Sequence, residues 1–162
     1  MRQTLGVLVG ILLSTSPLVG QSGPSIQGAW RLIEVTTSGR NGSTNSMPQP
    51  SLYIFSARHY SITRVTAAEP RPEFKDPANV TDAESLAAWG PFQAQAGAYE
   101  ISGDSLKLGV IISKNPQLMR TGLQPAVFTF ALDGNTLTLI QKADQAGRPI
   151  ANPATFKLVR QD

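Results

Sequence analysis

Gly97-Ala98-Tyr99-Glu100-Ile101-Ser102-Gly103-Asp104-Ser105-Leu106-Lys107-Leu108 reads as strand, tight turn, strand. Gly103 supplies the positive φ that a short hairpin connection requires. The same figure returns in Phe130-Ala131-Leu132-Asp133-Gly134-Asn135-Thr136-Leu137-Thr138-Leu139, where Asp133-Gly134 is a still stronger hairpin signal. Two such hairpins in one small chain predict an antiparallel meander of consecutive neighbours.

Further strands extend the meander in both directions. Upstream, Gly28–Thr36 reads as a first strand, with Trp30, Leu32 and Glu34 on one face and Ala29, Arg31, Ile33 and Val35 on the other. Thr37–Pro50, rich in Gly, Ser, Asn and Pro, reads as a loop. Leu52–Ser56 and His59–Val65 form a hairpin about Ser56-Ala57-Arg58, and Ala67–Ala78, with Pro70, Pro72 and Pro77, is an extended loop. Thr81-Asp82-Ala83-Glu84 has the spacing of a capping box and opens a short helix, which Pro91 ends near Gly90. The anchor hairpin, Ala98–Ile101 with Ser105–Ile112, comes next. Ser113–Gln124 is a loop, Val127–Leu132 and Thr136–Lys142 form the second hairpin, and Thr155–Arg160 is the last strand. Eight strands joined in sequence leave two edges, which closure into a barrel removes. The expected class is all-β, an eight-stranded antiparallel up-and-down barrel with one short helix covering an open end.

The N-terminus reads differently. Met1-Arg2-Gln3 is a short basic lead, Leu5–Leu13 is an apolar run too short to span a bilayer, and Leu18-Val19-Gly20 ends on a small residue. This is the pattern of a secretory signal over residues 1–20, followed by a linker over 21–27 and a barrel domain over 28–160. The expected location is secreted or periplasmic, with no stable membrane anchor after cleavage. With no cysteine in the sequence, disulfides, thiolate zinc sites and a lipidated cysteine are excluded. The net charge of +3 is dispersed, without the basic cluster that nucleic-acid binding needs.

The pattern resembles the lipocalin-like family of small bacterial proteins. The resemblance rests on Gly28-Ala29-Trp30-Arg31-Leu32, on Leu52–Ser56 with His59-Tyr60-Ser61, on Gly97–Ile101 and on Phe130–Leu139. It covers about Gly28 to Arg160. The first motif is similar to the Gly-x-Trp of lipocalins proper, whose Trp closes one barrel end beneath an Arg from the far end of the chain. The resemblance gives those parts to Trp30 and Arg160. The Thr-Asp-Tyr motif of that branch is absent. What the resemblance implies is an eight-stranded barrel with a small interior; it assigns no activity.

Candidate chemistry is sparse. His59 is the single histidine, so a histidine-rich metal site is excluded, and no Gly-x-Ser-x-Gly elbow is present. The acidic residues Glu69, Glu73, Asp76, Asp82 and Glu84 lack a calcium-loop pattern. No catalytic residue, metal or cofactor is assigned. Parity groups Tyr60, Ile62 and Arg64 on one strand face, Tyr99 and Ile101 on another, Leu106, Leu108, Val110 and Ile112 on a third, and Ala126, Phe128, Phe130 and Leu132 on a fourth. Small barrels can be filled by such side chains, or the same faces can line an apolar pocket with a few orienting polar groups. On the second reading Tyr60, Ile62, Arg64, Trp89, Tyr99, Ile101, Phe128 and Phe130 bind a small apolar or amphipathic ligand. The helical stripe Leu86, Trp89, Phe92 then serves as lid or plug. Two other readings stand beside it. One is a barrel enzyme resembling allene oxide cyclase, drawing on Tyr60, Arg64, Tyr99 and Glu100. The other is an interaction module using the long loops Thr37–Pro50, Ala67–Ala78 and Ser113–Gln124.

Overall fold

The computed structural model describes residues 25–162. The signal-like segment 1–20 and the first part of the linker lie outside the described residues. The strands are β1 (Gly28–Thr37), β2 (Ser43–Asn45), β3 (Ser51–Phe55), β4 (His59–Val65), β5 (Phe92–Ser102), β6 (Ser105–Ser113), β7 (Ala126–Asp133), β8 (Thr136–Ala143) and β9 (Ala154–Arg160). One helix, α1 (Asp82–Trp89), and one 3-10 turn, Pro116–Met119, complete the chain. Every strand pairs antiparallel with its neighbours, and β9 returns to β1 with Trp30 opposite Arg160 and Leu32 opposite Leu158. Eight strands therefore close into a barrel, while β2 is a short flap paired to Val35–Thr37. Among the described residues no helix is long and apolar enough to cross a membrane.

Both anchor turns are two residues long. Ser102 pairs with Ser105 around Gly103-Asp104, and Asp133 pairs with Thr136 around Gly134-Asn135. Only the glycine of each has positive φ, +61° at Gly103 and +54° at Gly134. A glycine at the first central position is the type II′ requirement, so Asp133 belongs to its strand and not to the turn.

The interior is filled at one end and hollow at the other. Trp30, Leu32, Phe55, Tyr60, Leu106, Leu137 and Leu158 are buried together in the filled half. Ile26 lies under the barrel there, and its carbonyl accepts the Trp30 indole N–H at 2.8 Å. Arg160 covers the ring, its guanidinium carbon 4.2 Å from the Trp30 ring centroid. Gly28, at φ +128°, lets the chain pass beneath that guanidinium, because a Cβ there would overlap Arg160 Nη1 and sit 2.8 Å from Asp162 Oδ1. The closure expected of Trp30 and Arg160 is thus present.

Register slips interrupt simple alternation at three places, one of them on β7 and β8 between Val127 and Phe128. The register of β1 on β9 slips between Leu32 and Glu34, so Val35, opposite Phe156, packs on the core and Glu34 does not continue the face of Trp30 and Leu32. The register of β5 on β6 slips between Ala96 and Gly97. Ile112, expected inward with Leu106 and Leu108, is 62% exposed as a result, and Ser113 turns in instead. A bulge inserts one extra residue and so exchanges the two faces beyond it. Gly97 makes the close approach at this bulge: its Cβ would overlap the Gly109 carbonyl oxygen.

Two elements differ from expectation in extent. The loop Thr37–Pro50 contains β2, held by hydroxyl pairs such as Thr36 Oγ1 and Thr44 Oγ1 at 3.1 Å. Strand β5 begins at Phe92, six residues before the expected Ala98. Its Gln-Ala-Gln-Ala-Gly start has little strand preference of its own. Pairing with β4, Arg64 opposite Gln93 and Ile62 opposite Gln95, imposes the extended form.

Candidate functional site: a cup at the open end of the barrel

The hollow half encloses a cavity of about 550 Å³. Its floor is apolar, built from Ile62 on β4, Leu108 on β6, Phe128 on β7, Leu139 on β8 and Phe156 on β9. Its rim is polar, with Arg64, Gln93, Gln95, Ser113 and Gln141 coming from the ends of the strands that meet there. The two levels follow from strand position. Residues near the middle of each strand reach the shared core, whereas those at β4's end and β5's start stand at the mouth.

Arg64 is the most constrained polar group. Its Nε donates to Gln93 Oε1 at 2.7 Å, and its Nη1 donates to the Tyr53 hydroxyl at 3.4 Å. Its guanidinium carbon lies 5.1 Å from the centroid of the Phe156 ring. Burial raises the pKa of the Tyr53 hydroxyl above its ordinary value, and the positive charge and hydrogen bond of Arg64 only partly oppose this. Tyr53 therefore meets Arg64 as a neutral phenol at physiological pH.

Two segments meet at the mouth of the cup. Asn115 and Leu118, on the loop after β6, line the cavity together with Gly90 and Phe92. Asn115 caps the 3-10 turn by accepting the Gln117 N–H at 3.0 Å, and Pro116 follows as its first residue. Helix α1, with Gly90 as its C-cap, stands at the same mouth. It has the expected capping box: Thr81 Oγ1 accepts the Glu84 N–H at 3.3 Å, and Glu84 Oε2 accepts the Thr81 N–H at 3.0 Å. Yet none of its residues is buried, and Leu86 and Trp89 are 73% and 57% exposed. Lys114 ties the helix end to β6, its Nζ donating to the carbonyl oxygens of Trp89, Gly90 (3.4 Å) and Phe92 (3.0 Å).

The eight residues expected to bind ligand divide into groups. Ile62, Arg64 and Phe128 line the cup. Tyr99, Ile101 and Phe130 lie toward the other end, where they border an open depression below the plug. Tyr99 is held there structurally, donating from its hydroxyl to the Ser56 carbonyl at 2.7 Å and meeting Phe55 edge-on at 5.5 Å. Tyr60 is buried in the filled half, its hydroxyl without a hydrogen-bond partner and its pKa pushed up to about 12 by desolvation. Trp89 packs against Phe92 at 5.6 Å outside the cup. Glu100, opposite Lys107, is exposed, so Tyr60, Arg64, Tyr99 and Glu100 are not gathered at one place.

Sequence reasoning missed Tyr53, Gln93, Gln95, Gln141 and Phe156. The signal for Tyr53 was present, since it pairs with Ile62 and shares parity with Phe55. It was masked because Leu52 and Ile54, which are 40% and 42% exposed, are equally apolar. The chain matches no protein-family model and no curated protein.

Proposed function

We propose that this chain is an exported, lipocalin-like barrel that binds a small apolar or amphipathic molecule in the cup. The observation that carries this reading is the cavity itself: about 550 Å³ inside a closed barrel, apolar below and polar at the mouth. That size and lining fall within the usual range of small-molecule sites, roughly 300–1,000 Å³ with few polar groups. At the other pole Trp30 and Ile26 are buried and Arg160 covers the indole, which supports the cup as the mouth a ligand would use. Export is supported by the basic lead and short apolar run of residues 1–20.

The test is uptake of N-phenyl-1-naphthylamine, a neutral apolar dye that brightens on leaving water. A saturable rise in emission at about one dye per chain is expected. It should be lost when Leu139→Trp fills the floor. Emission equal to that of dye in buffer, from protein shown to be folded, would overturn the reading.

A further inference from the structure

We propose that the occupant of the cup is a single-chain amphiphile with an oxyanion headgroup, carboxylate or phosphate, seated against Arg64. This rests on the binding reading above and specifies its ligand. The first observation is the charge of the lining. It contains two cations, Arg64 and Lys114, and no aspartate or glutamate. The second is how those cations are matched. Lys114 spends its ammonium on the carbonyls of Trp89, Gly90 and Phe92, from the end of α1 to the start of β5. Arg64 is met by an amide, a neutral phenol and an aromatic face, none of which carries compensating charge. Among the described residues the ion pairs are Arg148–Asp144 and Arg160–Asp162, both elsewhere.

A half-buried guanidinium without a carboxylate is costly to keep charged, and arginine does not deprotonate. An oxyanion at the mouth supplies the missing charge, and its two oxygens match the fork geometry of the guanidinium. Gln93 fixes Nε and Tyr53 engages Nη1, so the group is held in place before a ligand arrives. Below it the floor of Ile62, Leu108, Phe128 and Leu139 offers only apolar surface, which suits a hydrocarbon tail. The rim amides of Gln95 and Gln141 add donors around the same point.

The experiment is displacement of N-phenyl-1-naphthylamine at pH 8 by decanoate, decyl phosphate and decanol, which share one chain. At least one anion is expected to compete at roughly tenfold lower concentration than decanol, the advantage of a charged hydrogen bond. Which anion leads assigns the headgroup. Arg64→Gln should bring the ratio to about one. Gln93→Glu, which sets a carboxylate beside Arg64 with little change of shape, should do the same by supplying the charge internally; it covers the case in which Arg64→Gln fails to fold. Dye uptake with equal displacement by all three would overturn the oxyanion proposal and leave the binding reading intact. An anion advantage that persists in both variants would overturn the role of Arg64. Absence of dye uptake would overturn both readings.

Discussion

Arg160 lies over the Trp30 ring at 4.2 Å while donating from Nη1 to the Gln27 carbonyl at 2.6 Å and from Nη2 to the Ser25 carbonyl at 3.0 Å. One side chain from the end of the chain thus holds both the plug residue and the segment that leads into β1. Its removal leaves two carbonyls and one aromatic face without their partner.

Arg160→Ala is expected to destabilise the barrel by about 2–4 kcal/mol, the sum of a desolvated cation–π contact and charged hydrogen bonds. Urea unfolding followed by Trp30 emission measures it. Arg160→Lys should recover only part, because an ammonium cannot reach both carbonyls and stack at once. A full recovery would mean that charge alone matters there.

Gly97 and Gly103 separate two reasons for glycine. At Gly97 a Cβ would overlap the Gly109 carbonyl oxygen and lie 2.9 Å from Ile111 N, so Gly97→Ala is expected to cost about 2–4 kcal/mol through backbone displacement. At Gly103 nothing lies within 4 Å of a Cβ, and only φ +61° opposes the substitution. Gly103→Ala should cost about 1–2 kcal/mol. Equal losses in thermal unfolding would contradict the bulge argument.

All three tyrosines of the sequence titrate above the ordinary tyrosine value because burial disfavours the phenolate. A pKa raised on folding means the stabilising contribution is complete below about pH 10 and is lost as pH rises toward the folded value, about 12 for Tyr60. Absorbance at 295 nm should therefore show little tyrosinate until the barrel begins to unfold in alkali. Tyr60→Phe removes a hydroxyl without a partner, so its stability at pH 7 should be unchanged or raised by up to about 1 kcal/mol. A clear loss would place a water or ligand on that hydroxyl.

Acid acts on exposed caps. The Glu84 carboxyl is held below its usual range first by the Thr81 hydroxyl, then by the N–H groups of Thr81 and Lys75. The Asp144 carboxyl is held low first by the Arg148 side chain, with the Arg148 and Ala146 N–H groups assisting. A lowered carboxylate pKa gives stability that is present above the unfolded value and lost as pH falls through the folded one. Carbon-detected NMR titration should find both midpoints depressed, and Thr81→Ala should move only that of Glu84 upward. An unchanged Glu84 midpoint in Thr81→Ala would deny the hydroxyl its leading part.

Local signals carried most of the fold. Gly103 and Gly134 fix two hairpins and Thr81 and Glu84 fix a helix start, each through chemistry within a few residues, whereas the pairing of Trp30 with Arg160 was legible only through the resemblance to lipocalins. The site was less legible because it depends on parity beyond a bulge. An extra residue in β6 brings Ser113 in and sends Ile112 out, and no residue type announces that slip. The Gln-Ala start of β5 carries no strand preference, yet it supplies Gln93 and Gln95 to the rim through its pairing with β4. The helix offered the apolar spacing of a lid, and its C-cap Gly90 does line the mouth, but so do Asn115 and Leu118 from a segment that reads as plain loop.

Closure between β1 and β9 joins residues 130 apart in sequence, Trp30 and Arg160. The two ends of the described chain are further linked, with Gln161 N donating to the Ala29 carbonyl at 2.8 Å and Ala29 N donating to Asp162 Oδ2 at 3.1 Å. The polypeptide is therefore almost a ring. The pairing that both seals the wall and seats the plug spans the longest stretch of chain and so bears the largest loop-closure cost. A chain made from its N-terminus has no finished barrel until its last strand is available. A circular permutant that joins the ends near Ser25 and Asp162 and opens at the Gly103 turn would make that closure local and hand the long-range one to β5 and β6, so the plug should form before the wall is sealed.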